Sequence, residues 1–400
     1  MRLLSLELRD FRNHREAHAS LEGEPVLLLG ENGSGKTNWV EAAVLLSIGR
    51  SFRGARDRDL TRREAAEFEI RGVLSNRVGV RSEVVARGGA GGPREVVVDG
   101  AALPRLADLL GRFPTVHFSV EDVATLHGAP AGRRRFLDVA LCQLEPAYVG
   151  HLRDYAAALK QRNRLLADAG RGEVDGDEFS AWEEILARSG AELDRRRAVL
   201  AAELNRVLEE LVLPVEGLED ALEPRIEYAG VGAAAGAVAD GNGGVPNRGA
   251  AADEPAIAAR ATRLESLRAR DRRLGWTSFG PHRAGIACRI GGRDLLDGAS
   301  RGMSRLYSIL LRLALARVME ARLEEPPVVF LDDPESELDP RWIGPVLALV
   351  PATSQVVVTA CRPLTHTPGR FRQITMESLA GAGAGAGAGL GAGLPAAALQ

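Results

Sequence analysis

Leu4, Leu6 and Leu8 alternate with Ser5, Glu7 and Arg9, the period of a strand with one buried face. A short apolar run, "PVLLL" (25–29), reads as a buried strand, and residues 37 to 48 are apolar at helical spacing. Residues 68 to 99 carry β-rich pieces, "EFEIRGVL", "RVGVRSEVVA" and "REVVVDG", joined by "RGGAGGP", which predicts antiparallel hairpins. From about 133 to 212 the pattern is helical, in two long stretches separated by "DAGRGEVDGDEFS". Neither sustains a heptad repeat for long, so a short helical arm is expected rather than a long coiled coil. Pattern returns at about 262 and closes with a helix (304–324), a strand "VVFL" (328–331) and a strand "QVVVTA" (355–360).

Two segments lack pattern. Residues 229 to 256 are almost all Gly, Ala and small polar letters, too poor in apolar surface to order themselves, and read as a flexible linker. The Gly/Ala tail from Ala380 reads as a disordered extension. Otherwise the composition, 45% hydrophobic and 26% charged over 400 residues, is that of a globular protein. A net charge of -3 excludes a polycation, so any nucleic-acid surface must be local. Cys142, Cys288 and Cys361 are far apart and lack metal spacing; they read as small buried hydrophobes in a reducing compartment. Charges near the start are too closely spaced for a secretory signal, and no apolar run approaches the roughly 20 residues that span a bilayer. The expected location is the cytoplasm, with no membrane partner.

Only two of the 51 basic residues are lysines, Lys36 and Lys160. Lys36 lies in Gly30-Glu31-Asn32-Gly33-Ser34-Gly35-Lys36-Thr37, which fits G-x-x-x-x-G-K-[ST] between a strand and a helix. An ammonium is a compact point charge that fits among phosphates in a tight loop, whereas a planar guanidinium does not. That Lys survives here, in a chain that writes Arg almost everywhere, strengthens the phosphate reading. The glycines let backbone N–H groups curl around a β-phosphate, Lys36 would bridge β- and γ-oxygens, and the Thr37 hydroxyl would ligate Mg²⁺. ATP and Mg²⁺ are therefore the expected cofactors.

The second half of such a site is an acid at the end of a buried strand, and "VVFLDD" supplies it. Asp332 would serve the metal, and Asp333 would orient or deprotonate the attacking water. The competing reading is that the two acids cap the next helix. Asp332 lies 296 residues beyond Lys36, so a large insertion containing the helical arm divides one nucleotide site into two halves. That arrangement occurs in the ATP-binding-cassette heads of chromosome-maintenance proteins, where a Ser/Gly signature before a helix completes the partner subunit's site. The candidate here is "GASRGMSRL", with Ser300 and Gly302 facing a partner's γ-phosphate, a stretch equally readable as a plain helix cap.

Several further stretches resemble the RecF family, bacterial recombination-repair ATPases related to the heads of SMC proteins and Rad50. They are "LRDFRNH", "GENGSGKTNWVEAAVLLSIGRSFR", "FSVEDVATLHGAPAGRRRFLD", "RDRRLGWTSFGPHR" and "FLDDPESELD", in that order along residues 1 to about 227 and about 262 to 362. The resemblance implies an α/β fold: an ABC-type ATPase head, a mixed sheet with flanking helices, interrupted by a short helical arm lobe. Its halves would be residues 1–140 and 262–379, with the arm at 141–227, the linker at 228–261 and the tail at 380–400. It also implies a D-loop at Ser336 and Asp339 and a slow ATPase that dimerises on ATP. Such a protein binds single-stranded and duplex DNA at gap junctions and works with RecR and RecO to load the recombinase RecA. The chain departs from the family pattern at the signature, Ser300-Arg301-Gly302-Met303 in place of S-Q-G-Q. It departs again at Ala284 and Gly285 after "GPHR", and at Pro334. Met303 cannot make the polar contacts of a glutamine amide. For DNA, the candidates are Arg133, Arg134 and Arg135, which read equally as a solvated helix face, and no aromatic stacking platform is evident. A family member that binds ATP and DNA without turning over is the alternative.

Overall fold

In the computed structural model, residues 1–168, 176–212, 223–230, 251–297, 299–336, 338, 340–364 and 371–381 are described. The chain opens with β1 (Arg2–Phe11), β2 (His14–Ser20), β3 (Val26–Leu29), α1 (Lys36–Ile48) and the one-turn α2 (Asp57–Leu60). Next come β4 (Glu67–Ser75), β5 (Arg81–Gly89), β6 (Glu95–Val98), β7 (Ala101–Ala102) and β8 (Thr115–Phe118). Four helices follow: α3 (Val120–His127), α4 (Pro130–Leu144), α5 (Pro146–Asp168) and α6 (Gly176–Val212). After them come β9 (Arg225–Ala229), α7 (Glu254–Ser266), α8 (Arg268–Leu274), β10 (Gly285–Ile290) and β11 (Arg293–Asp294). The last part holds α9 (Arg301–Leu323), β12 (Val328–Asp332), α10 (Pro340–Ala348), β13 (Val356–Ala360), β14 (Arg372–Thr375) and α11 (Met376–Gly381).

The strand patterns sort into two kinds of sheet. Strands with alternating burial form a six-stranded antiparallel sheet in the order β2-β1-β4-β5-β6-β7. The short apolar runs form a five-stranded parallel sheet, β14-β3-β13-β12-β8. Its residues alternate between two cores. Val328, Phe330 and Val357 join α1 and the antiparallel sheet, whereas Val329, Leu331, Val356 and Val358 join α4, α6 and α9. Burial on both faces is why these strands read as continuous apolar runs. Sandwiched between two sheets, α1 is apolar nearly all round, as a wholly buried helix must be. Gly72 of β4 permits this packing, since a Cβ there would lie 2.6 Å from Leu46 of α1. This is the mixed α/β head, completed by strands from both ends of the chain.

The carboxyl half of α6 packs into the core through Leu193, Leu200, Leu204 and Leu208, and its amino half pairs with α5 as the arm. Within the arm the fully buried Arg162 donates to Glu183, Asp271, Thr277 and the Leu264 carbonyl, tying α5 to α6, α7 and α8. One expectation fails here: α7 starts at Glu254, inside the stretch read as linker. Asp253 caps it, and Ile257, Arg260 and Leu264 are buried, with Arg260 paired to Asp194 of α6. Small residues at the helix start hid an amphipathic face that begins only at Ile257. Residues 231–250 of that linker, and the tail beyond Gly381, lie outside the described residues.

Candidate functional site

Parallel pairing points the carboxyl ends of the five strands at one edge, where ligands bind in open α/β sheets. The ladder sets Leu29 of β3 opposite Ala360 of β13, and Thr359 of β13 opposite Asp332 of β12. The phosphate-loop motif and the acidic motif, distant in sequence, are thus separated by a single strand.

The loop from Gly30 to Gly35 turns back on itself, with Gly33 and Gly35 at φ +84° and +104°, a region that favours glycine. At Gly35 a Cβ would meet the His14 ring at 2.6 Å, so the turn between β1 and β2 presses directly on the loop. Lys36, buried, donates from Nζ to the carbonyls of Gly30 (2.6 Å) and Glu31 (3.0 Å). The Ser34 hydroxyl is buried and has no hydrogen-bond partner among the described residues. The Asp332 Oδ1 accepts from the Thr359 hydroxyl at 2.6 Å, and the Thr37 hydroxyl stands close enough to the same carboxylate to favour its charged form. An ammonium, an orphaned hydroxyl, glycine N–H groups and a Thr–Asp pair converge, a donor set that fits a nucleotide triphosphate and its hard divalent cation.

Burial holds the Asp332 carboxyl above the usual carboxylate range against the hydrogen bond from Thr359 and the nearby Thr37 hydroxyl, and Glu121 and Asp333 add repulsion. A raised carboxyl pKa means the folded chain binds this proton more tightly than the unfolded chain. The associated stability is complete below the unfolded pKa and is lost as pH rises through the folded one. Asp332→Asn is therefore expected to raise Tm at pH 7.5 in nucleotide-free protein, by on the order of a few degrees. The same variant should weaken Mg²⁺-dependent nucleotide binding at least about tenfold. Calorimetric scans and titrations check both; a variant less stable than wild type, with unchanged Mg²⁺ dependence, would return Asp332 to a structural role.

Asp333 adopts φ +48°, a strained conformation for a non-glycine residue that Asp tolerates better than most. Its N–H donates to Thr359 Oγ1 (2.9 Å) and its carbonyl accepts from Arg305 (2.9 Å). Arg305 lies on α9, so the helix that Ser300 caps is fastened to the acidic motif. Glu335 joins this edge as well. Its carboxyl is raised by burial and by Asp333, while Arg362, Cys361 and Lys36 act in the opposite direction. The opening turn also belongs to the site's support: Arg12 makes a two-pronged pair with the fully buried Glu41 of α1, and Asn13 accepts from Asn38. Burial lowers the His14 pKa. Sequence reasoning assigned no role to Arg12, Asn13, His14, Arg305 or Glu335. All five nevertheless lie inside stretches the sequence singles out, "LRDFRNH", "GASRGMSRL" and "FLDDPESELD".

Other expected residues are placed differently. Ser300 caps α9, its hydroxyl accepting from the Met303 N–H at 3.2 Å, while Gly302 is half-buried in the first turn. Ser336 follows the acidic motif, its N–H donating to the Asp333 carbonyl; Asp339 lies outside the described residues. Of the arginine triplet, Arg133 is buried and donates to the carbonyls of Ile286, Leu126 and Gly128, so it is a structural strut and not a surface contact. Arg134 is half-buried on the Ala284 carbonyl, and only Arg135 is exposed. Cys142 and Cys288 are buried as expected, but Cys361 is exposed. It follows β13, with Sγ 3.6 Å from Lys36 Nζ and 2.9 Å from Asn32 Oδ1, because a residue just past a parallel strand's carboxyl end emerges at the ligand edge.

Among the described residues no helix is long and apolar enough to cross a membrane. The family described as RecF/RecN/SMC N terminal domain matches residues 2–377. The DNA replication and repair protein RecF of Anaeromyxobacter dehalogenans (strain 2CP-C) is 36% identical over 376 residues, 92% of this chain and 95% of its own. That of Myxococcus xanthus (strain DK1622) is 34% identical over 365 residues, 90% of each chain. Among solved structures, the recombination mediator protein RecF of the RecFOR pathway, with ATPrS, superposes with a TM-score of 0.77 at 26% identity, over 94% of this chain and 96% of that one. The same mediator with ATP gives a TM-score of 0.76 at 25% identity, over 91% and 94%. The match spans both halves of the composite sheet and the helices between them: the chain belongs to the RecF family.

Proposed function

We propose that the chain is an ATP-dependent DNA-binding protein of replication and recombinational repair. It acts in the cytoplasm on single-stranded and linear duplex DNA at gaps. ATP drives its dimerisation, and it cooperates with RecR and RecO in loading recombinase. The observation that carries this reading is the placement of Thr37 beside Asp332, one strand apart at the carboxyl edge of the parallel sheet, which brings together two halves of a nucleotide site 295 residues apart in sequence. Relatives named DNA replication and repair protein, and structural neighbours of the RecFOR pathway holding ATP, support the rest.

In this reading Gly33, Ser34, Gly35 and Lys36 cradle the phosphates, with Glu31 and Asn32 at the loop's outer edge. Thr37 and Asp332 hold Mg²⁺, which when bound neutralises charge on the β- and γ-oxygens. Asp333 orients water and accepts its proton. Ser300 and Gly302 present an N-terminal helix end to the partner subunit's nucleotide, so the complete site exists only in the dimer. Arg305 couples that helix to Asp333 within one subunit. Arg301 and Met303 favour a second reading, in which ATP and DNA bind but hydrolysis is negligible.

Specific ATPase activity measured against protein concentration separates the two, since a dimer-built site turns over faster per subunit as concentration rises. Ser300→Arg is expected to abolish ATP-dependent association seen by sedimentation, with nucleotide affinity of the single subunit within about twofold of wild type. Ser300→Asp keeps the helix cap and sets a negative charge against the phosphate, so it should fail in the same way. Wild-type protein that stays monomeric in saturating ATP defeats the dimer mechanism.

A further inference from the structure

The carboxyl end of α8 carries an exposed surface that the nucleotide site does not use. Arg270, Arg272 and Arg273 are exposed, whereas Asp271, the helix's one acid, is buried on Arg162 and Ser278. Gly275 ends the helix at φ +76°, leaving Leu274 and Trp276 41% and 38% exposed. The Arg283 guanidinium lies 4.0 Å above the Trp276 ring. Among the described residues no carboxylate pairs with Arg270, Arg272, Arg273 or Arg283, although Arg272 also lies over the Phe179 ring. The Thr277 and His282 side chains, bonded to Asn163 and Tyr155, pin the segment to α5.

Positive charge continues from here toward the head. Arg134 has its pKa lowered by burial and by the charges of Arg197 and Arg283, with Tyr228 and Asp138 opposing. Arg135, next on α4, is exposed and bears in turn on Arg50, whose pKa is lowered by burial and by Arg135. Asp138, the acid that acts on both Arg134 and Arg50, is already held by Arg197 through two hydrogen bonds. Like charges placed in a row without acids repel, and a polyanion relieves that repulsion. An exposed indole beside them adds a flat π surface, and the stacked guanidinium holds it in place, so little side-chain freedom is lost on binding.

We propose that this stripe, from α8 through Trp276 and Arg283 to Arg134 and Arg135, is a track for single-stranded nucleic acid. Trp276 stacks on an unpaired base, and the arginines meet successive phosphates. A duplex hides its base faces, so it gains the phosphate contacts without the stack. The proposal rests on the DNA-binding reading above and assigns that reading a surface and a strand preference.

The test uses the full chain with labelled oligo-dT and a duplex of equal length, read by fluorescence anisotropy at several salt concentrations. Trp276→Ala is expected to weaken oligo-dT binding about tenfold and duplex binding less than about twofold, and Trp276→Phe to restore most of the loss. Arg273→Ala and Arg283→Ala should each reduce the salt slope on oligo-dT by about 0.7, one phosphate contact apiece. Unchanged nucleotide affinity in each variant reports an intact fold. Wild-type protein that binds oligo-dT while all variants bind equally well overturns the track alone. Wild-type protein that binds no oligonucleotide, with or without ATP, overturns the DNA-binding reading together with it. Trp276-dependent binding to phosphatidylserine vesicles, with oligo-dT affinity indifferent to Trp276, assigns the stripe to a membrane surface and overturns the proposal as well.

Discussion

Lys36→Ala is expected to reduce ATP affinity by roughly 100-fold or more while leaving the fold intact. The magnitude follows from losing charge-assisted hydrogen bonds to phosphate, each worth about 1.5–3 kcal/mol. Folding should survive because, among the described residues, Lys36 bonds only the Gly30 and Glu31 carbonyls and the Cys361 sulfur, at the carboxyl end of the parallel strands. Lys36→Arg tests the geometric half of the claim. An ammonium fits between two carbonyls 2.6 and 3.0 Å away, whereas a guanidinium is wider than that space and should also bind poorly. Isothermal titration with ATP and Mg²⁺ reads both variants, and thermal unfolding controls for the fold. Wild-type affinity in both would sink the phosphate-loop assignment.

Asp333→Asn should leave ATP–Mg²⁺ binding close to wild type and slow hydrolysis on the order of 10²-fold or more, the usual cost of removing a general base. The backbone makes this a clean substitution. Asn tolerates the positive φ of 48° as well as Asp does, and the bonds to Thr359 and Arg305 use only main-chain atoms. Only the carboxylate's charge is lost. Glu335→Gln serves as the comparison, because that carboxyl lies on the same edge. A larger loss in Glu335→Gln than in Asp333→Asn would move the base to Glu335, and wild-type turnover in both would return the acidic run to helix capping. Single-turnover phosphate release, at concentrations that would saturate the proposed dimer, keeps chemistry separate from assembly.

The proposed nucleotide site is legible in the amino-acid sequence because its chemistry is local. A glycine loop, a lysine and a hydroxyl must follow one another to wrap a phosphate, and an acid must end a buried strand. Composition sharpens the reading, since a lysine among arginines marks a place where shape matters as well as charge. The strand types are legible for a similar reason, alternation or continuity recording how many faces are buried.

Other features have no local signature. That β13 separates the two motifs is a property of strand order, and it alone brings Thr37 to Asp332. Arg133, Arg134 and Arg135 look alike as letters, yet helix rotation buries one, half-buries the next and exposes the third. Cys361 reads as a core thiol until the strand's end places it beside Lys36. The stacked Arg283–Trp276 pair joins residues seven apart, which packing of the segment against α5 and α6 brings together. Residue type and spacing therefore determine chemistry wherever the groups are neighbours in the chain. Where long-range packing sets which face of an element meets solvent, the same letters yield a strut, a contact or a free surface, and the fold alone decides among them.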